Sequence, residues 1–231
     1  MADSRHEGVA AAIGAHLDDL DNRTRPVGAV LHDMGAELAD LWPIDRTIEN
    51  KNVHVVCTAE DLDFFASGFM SAVRSRGARP FYSCFWNEYR VNDDQGFIPD
   101  TSYMVAQYNQ KDVPKADELV AVASSFTEYA TVASNLSRMM DRLGKVPQPL
   151  IFVPATTDEE FKRVYDSFEA RGFYPPPFVL PGMPITNYGA RRHVDVHGIL
   201  RRWTVQEYGG YDQAFIPETI SSQMPALKHG L

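Results

Sequence analysis

The sequence predicts an α/β fold: an open, mainly parallel sheet flanked by helices, with a helical segment in front and an irregular region behind. Three observations predict it. Short apolar runs at Val53-His54-Val55-Val56-Cys57, around Leu119-Val120-Ala121-Val122 and at Leu150-Ile151-Phe152-Val153 are each followed by a segment of helical periodicity. Strand-then-helix units repeated in this way call for parallel pairing, because a parallel neighbour is reached only through a crossover, and the crossovers cover both sheet faces. The chain also has 231 residues, of which 44% are apolar, enough for one sizeable core.

The elements follow in order. Val9, Ile13, Leu17 and Leu20 share one helical face, and Val27, Val30, Leu31, Met34, Leu38 and Leu41 share another, after Pro26 at a first-turn position. Residues 1–50 are thus expected to form a helical preface packed on a main domain of residues 51–231. The run at Val53 ends in Thr58 and Asp61, spaced like a capping pair, before a helix with Leu62, Phe65, Phe69 and Val73 inward and Gly77 at its end. The aromatic segment from Pro80 to Tyr89, the polar turn at Asn92-Asp93-Asp94-Gln95-Gly96 and the segment from Thr101 to Tyr108 read as a long-looped hairpin. The strand at Leu119 leads to a helix bearing Val132, Leu136, Met139 and Leu143. The strand at Leu150 leads, through a Thr157 and Glu160 capping box, to a helix bearing Phe161, Val164, Tyr165 and Phe168 that Gly172 closes. From Tyr174 onward the alternation breaks down at Pro175-Pro176-Pro177 and Leu180-Pro181-Gly182, leaving a strand-and-loop region.

Composition limits the partners. Lys and Arg number 22 against 31 Asp and Glu, the formal charge is -9, and no cluster of five basic residues occurs, which argues against nucleic acid. No apolar run approaches the ~18 residues of a membrane span, and Met1 to Glu7 lacks signal-peptide character, so a cytoplasmic protein is expected. Cys57 and Cys84 read as reduced, buried thiols near strand ends.

The richest stretch runs from Ala116 to Leu136: a buried strand, a hydroxyl-rich loop and a helix start. A strand that ends at a helix N-terminus aims unpaired amides and the positive end of the helix dipole at one point. Ser124, Ser125, Thr127 and Thr131 add hydroxyl donors, which suits a phosphate; an ordinary capped turn explains the same residues. Ligands of open α/β sheets sit at the carboxyl ends of the strands, which places Thr58 to Asp61, Cys84 to Arg90 and Ser124 to Thr131 around one crevice.

In this order of parts the chain resembles the type I phosphoribosyltransferases, and among them the uracil branch, over roughly residues 50 to 220. The quoted segments carry the resemblance, together with a late Tyr208-Gly209-Gly210-Tyr211-Asp212 ahead of Ile216-Pro217-Glu218. It implies a pyrophosphate loop at Thr58, Ala59, Glu60 and Asp61, a hairpin bearing Asn87 and Arg90 that folds over the sugar diphosphate, and a 5-phosphate loop at Thr127, Glu128 and Thr131. It further implies Mg²⁺ held by Glu128 or Asp61, Arg90 on the pyrophosphate, and a planar acceptor near Trp203, Tyr208, Gly209 and Asp212. The partners implied are a phosphorylated sugar donor and that acceptor, within a homo-oligomer or hetero-oligomer. The reaction implied is displacement of pyrophosphate at the anomeric carbon, with Glu128, Asp61 and Arg90 as its catalytic residues.

The chain also departs from that pattern. Where the family's 5-phosphate loop carries acids and a glycine, this one has Ala123, Ser124, Tyr129 and Ala130, and Arg201-Arg202-Trp203-Thr204 replaces the base loop's Pro-Gly. Glu60 and Asp61 put two negative charges into a pyrophosphate loop that has no Arg or Lys. They read equally as first-turn acids on a helix dipole. Two readings follow: an enzyme transferring a phosphorylated ribose to a nitrogen-containing acceptor other than uracil, or a catalytically silent subunit of the same fold acting in ligand sensing or assembly. Elsewhere, His193, Asp195 and His197 alternate on one strand face, but Arg191 and Arg192 beside them disfavour a cation; His32-Asp33 reads as solvated helix polarity.

Overall fold

The computed structural model describes residues 4–90, 101–111, 113–124, 129–144, 147–156, 158–184 and 216–222. Helices α1 (Ser4–Asn22) and α2 (Val27–Leu38) open the chain. Strand β1 (Asn52–Thr58) then runs directly into a helix of three parts: a short α3 (Ala59–Asp61), a π-helical turn (Leu62–Ala66) and α4 (Ser67–Ser75). Strands β2 (Arg79–Arg90) and β3 (Thr101–Asn109) form the hairpin. Strand β4 (Glu118–Val122) leads to α5 (Tyr129–Leu143), and β5 (Leu150–Thr156) to α6 (Asp158–Ala170). Strand β6 (Phe178–Pro184) and a short α7 (Glu218–Ser221) complete the described elements. Among the described residues no helix is long and apolar enough to cross a membrane.

The six strands lie in the order β3-β2-β1-β4-β5-β6, and every pairing is parallel except that of β2 with β3. Successive strand residues point to opposite faces, so one apolar run feeds two cores. Val55, Cys57, Val120, Val122 and Phe152 share a cluster with Val9 and Ile13 of α1, Val30 and Met34 of α2, and Phe69 of α4. Their neighbours Val56, Leu119, Ala121, Ile151 and Val153 pack with Val132, Leu136 and Met139 of α5 and Val164 and Phe168 of α6. The opening helices thus share one core with the sheet. Trp42, just beyond α2, stacks on Phe152 at 5.9 Å.

Two glycines set how closely α2 crosses the helix that follows β1. A Cβ on Gly35 would run into the carbonyl oxygen of Phe65, and one on Gly68 into that of His32. Backbone therefore meets backbone at this crossing. Gly182 plays the same part on β6, where a Cβ would lie 2.8 Å from Leu38 Cδ2 and 2.9 Å from Ile13 Cγ1.

Strand β6 corrects the sequence expectation, which saw regular structure break down from Tyr174. It pairs with β5 from Phe178 opposite Leu150 to Pro184 opposite Thr156. Its prolines, Pro181 and Pro184, are compatible with a strand because β6 lies at the sheet edge. Pro26 stands just before α2 rather than in its first turn. Gly77 and Gly172 follow α4 and α6 with positive φ, as helix-ending glycines do. Thr157, and with it the expected capping box to Glu160, and the irregular region at 185–215 lie outside the described residues, although Glu160 itself falls within α6.

The crossing at Gly68 gives a direct test. Alanine gains up to about 1 kcal/mol of helix propensity over glycine, but overpacking costs about 1–3 kcal/mol or more. Gly68→Ala should therefore lower stability despite lying inside a helix, and urea unfolding that showed a rise would contradict this packing.

Candidate functional site

Parallel register brings three connections to one edge of the sheet. Thr58 at the end of β1 pairs with Phe85 of β2, and Val56 pairs with Ala121 of β4, so the chain leaves β1, β2 and β4 on the same side. Asp61 sits between them. Its side chain is only 4% exposed, both its carboxylate oxygens accept the Ser124 backbone N–H at 3.3 Å, and Oδ2 also accepts the Thr58 hydroxyl at 3.2 Å. Burial pushes its carboxyl up to about 6, and the hydrogen bonds from Ser124 and Thr58 offset part of that rise.

This arrangement revises the capping pair at Thr58 and Asp61. Thr58 makes no side-chain bond to the helix N-terminus; its hydroxyl is given to Asp61. Asp61 does lie in the first turn, as the alternative reading has it, but its carboxylate faces inward and braces that helix start against the residues after β4. A carboxylate buried and held by three protein contacts does not fit a Mg²⁺ ligand, since that ion keeps several waters around it. Among the described residues no group of three or more His, Cys, Asp or Glu side chains could hold a metal.

Ser124 is buried at the end of β4, and its amide is engaged by Asp61. Thr131 is buried in the first turn of α5. Strand β4 and the start of α5 therefore follow one another as expected, while Ser125, Thr127 and Glu128 lie outside the described residues. So do Trp203, Tyr208, Gly209 and Asp212, and with them His193, Asp195 and His197.

The hairpin rises from the same edge. Strand β2 loses β1 as a partner after Phe85 and continues to Arg90 paired with β3 alone, which carries Arg90 to the position opposite Thr101. A register shift opposite Trp86 and Asn87, which leaves Val105 of β3 without an opposite residue, marks the departure, as bulges do where a strand is re-aimed. Asn87 and Asn135 of α5 exchange two hydrogen bonds, each 2.9 Å, so the Asn87 amide turns toward α5. Cys57 and Cys84, the last interior residues of β1 and β2 before the crevice, are in-register neighbours and free thiols. Contact with Cys84 and burial push the Cys57 thiol up.

Sequence reasoning missed a buried polar chain on the α5 side of the sheet. The Ser83 hydroxyl donates to Asn109 Oδ1 at 2.6 Å, Gln107 Nε2 donates to the same oxygen at 2.7 Å, and Ser83 Oγ lies 2.8 Å from His54 Nε2. With the Ser83 proton given to Asn109, His54 supplies Nε2–H and is neutral. Burial pushes it down to about 4, with Arg142 contributing. The one available signal was a polar residue at an inward position of each strand.

His54 and Asp61 give stability opposite dependences on pH. The folded value of His54 lies below the ordinary 6.5, so its contribution is present above 6.5 and lost as pH falls through about 4. The folded value of Asp61 lies above the ordinary 3.8, so its contribution is present below 3.8 and lost as pH rises through about 6. Between pH 4 and 6 the two slopes oppose. Asp61→Asn should remove one of them, leaving a variant whose stability falls more steeply on acidification than the parent's by of order 2–3 kcal/mol across that window. Urea midpoints at pH 4, 5 and 6 measure this, and parallel slopes would rule the assignment out.

No family model and no curated protein matches the chain. Among solved structures, the AQ2163 protein from Aquifex aeolicus matches with a TM-score of 0.50 at 15% identity, covering 74% of this chain and 83% of that one, a likeness of fold. The hypoxanthine-guanine phosphoribosyl transferase of L. donovani matches with a TM-score of 0.37 at 12% identity, over 78% of this chain and 79% of that one. The adenine phosphoribosyl transferase of Trypanosoma brucei, in complex with AMP, pyrophosphate and ribose-5-phosphate, matches with a TM-score of 0.45 at 12% identity, over 84% and 77%.

Proposed function

We propose that the chain is a divergent phosphoribosyltransferase-like enzyme that binds a phosphorylated ribose donor at the carboxyl edge of β1, β2 and β4 and transfers the sugar to a nitrogen-containing acceptor other than uracil. The observation that carries this reading is the bond between Asp61 and Ser124, which joins the helix start after β1 to the segment after β4. In the resemblance drawn from the sequence these are the pyrophosphate and 5-phosphate loops, the two that must hold opposite ends of one donor. The hairpin from Trp86 to Arg90 rises beside them.

In this reading Ser124, Ser125, Thr127 and Thr131 hold the 5-phosphate through hydroxyls and the amides at the start of α5. Arg90 answers the pyrophosphate, and Thr58 lies at the floor of its loop. Trp203, Tyr208, Gly209 and Asp212 receive the planar acceptor. Asp61 acts as a brace, which leaves Glu128 as the carboxylate for Mg²⁺; when bound, the ion would offset the charge of the leaving group. The chain's own residues do the rest by fixing the anomeric carbon in line with the acceptor and excluding water.

The same Asp61 contact favours a second reading. It occupies the Ser124 amide, and Ala123 and Ser124 stand where the family has acids, so a silent subunit that keeps the fold for ligand sensing or assembly accounts for these features as well.

Calorimetric titration of phosphoribosyl pyrophosphate with and without Mg²⁺ separates these readings from other uses of the fold. Binding that Mg²⁺ strengthens is expected, and no binding in either arm would overturn the donor site. Thr131→Val, which keeps the buried shape and removes the hydroxyl, should weaken binding about tenfold; unchanged affinity would place the phosphate elsewhere. Binding without pyrophosphate release toward nitrogen acceptors would select the silent subunit.

A further inference from the structure

Asn135 is a buried amide on an apolar stripe. It is 2% exposed and lies among Val132, Leu136 and Met139, which face the sheet. An unsatisfied amide at such a place costs about 1–3 kcal/mol, and the partner that satisfies it is Asn87. Each donates through Nδ2 to the other's Oδ1 at 2.9 Å. Asn87 lies just beyond Phe85, the last β2 residue paired with β1, and at the register shift of the β2–β3 pairing, so the contact grips the hairpin at its base. Gln107, on the returning strand, reaches the same helix with its Nε2 3.4 Å from Met139 Sδ.

We propose that Asn87 and Asn135 form a latch fixing the hairpin base to α5, so that the hairpin and the start of α5 behave as one body and the two ends of the donor bind cooperatively. This inference rests on the donor reading above. The chemistry of the pair suits the task. It is neutral, so burial carries no charge desolvation, and two antiparallel amide bonds fix orientation as well as distance, which an apolar contact in the same place does not. Both asparagines are positioning residues; neither touches the donor.

The test uses the full chain and two readouts. In Asn87→Ala, Asn135→Ala and the double variant, amide hydrogen exchange in hairpin residues 86–87 and 104–106 should accelerate about tenfold, with β1 unchanged and the double variant no faster than either single. Asn87 is partly exposed, so its variant decides if Asn135→Ala does not fold. Calorimetry with phosphoribosyl pyrophosphate, ribose 5-phosphate and pyrophosphate, each with Mg²⁺, reads the coupling: the whole donor should lose about tenfold in affinity and ribose 5-phosphate less than twofold. Unchanged hairpin exchange overturns the latch. A loosened hairpin with equal losses for donor and ribose 5-phosphate overturns the coupling. If the parent protein binds no donor, the donor reading fails separately and the exchange comparison alone decides the latch.

Discussion

Parallel strands cannot be joined by tight turns, and that constraint organises this molecule. Because β1 and β4 run the same way and each is followed by a parallel neighbour, each must hand the chain to a crossover at the same edge, and what those crossovers carry is gathered there whatever their distance in sequence. Asp61 and Ser124, far apart along the chain, become hydrogen-bonded neighbours through this geometry alone. Strand β3 is the exception. Being antiparallel, it lets β2 run past β1 as a two-stranded ribbon that leans on α5.

Within this frame the buried polar groups are divided by task. Those on the α5 side of β1 and β2, His54 and Ser83 with Asn109 and Gln107, are linked by hydrogen bonds away from the crevice, and burial keeps His54 neutral. Asp61 works at the crevice, where its carboxylate joins two loops. Asp63, two residues on and in the π-helical turn, accepts the backbone N–H groups of Glu218 and Thr219 at 2.7 and 3.0 Å and the Thr219 hydroxyl at 2.6 Å. The helix after β1 thus ties both the β4 connection and α7 to one place. π-helical turns inside helices are frequent where a helix has such work to do.

Much of the architecture was legible because it follows from periodicity. Val53 to Cys57 or Leu150 to Val153 admits few places other than a buried strand, and Val132, Leu136 and Met139 mark the face of α5 that meets the sheet. Strand β6 was not legible because Pro181 and Pro184 signal interruption until the strand is known to be an edge. The site was less legible still. Spacing identified Thr58 and Asp61 as a pair, but not that Asp61 turns inward to Ser124, since that depends on which strands are neighbours. Asn135 is a single polar residue on an apolar stripe, and only the hairpin's path reveals its partner.

The close approach of Ile13 and Leu38 to Gly182 bears on how the chain is made. During synthesis α1 and α2 leave the ribosome well before β6, yet part of the surface they cover lies on that strand. The α2 face meets the helix after β1 early, but the part of α1 and α2 that meets Gly182 is covered only once β6 is in place, so that last step rests on contacts of large sequence separation, which are slow to form.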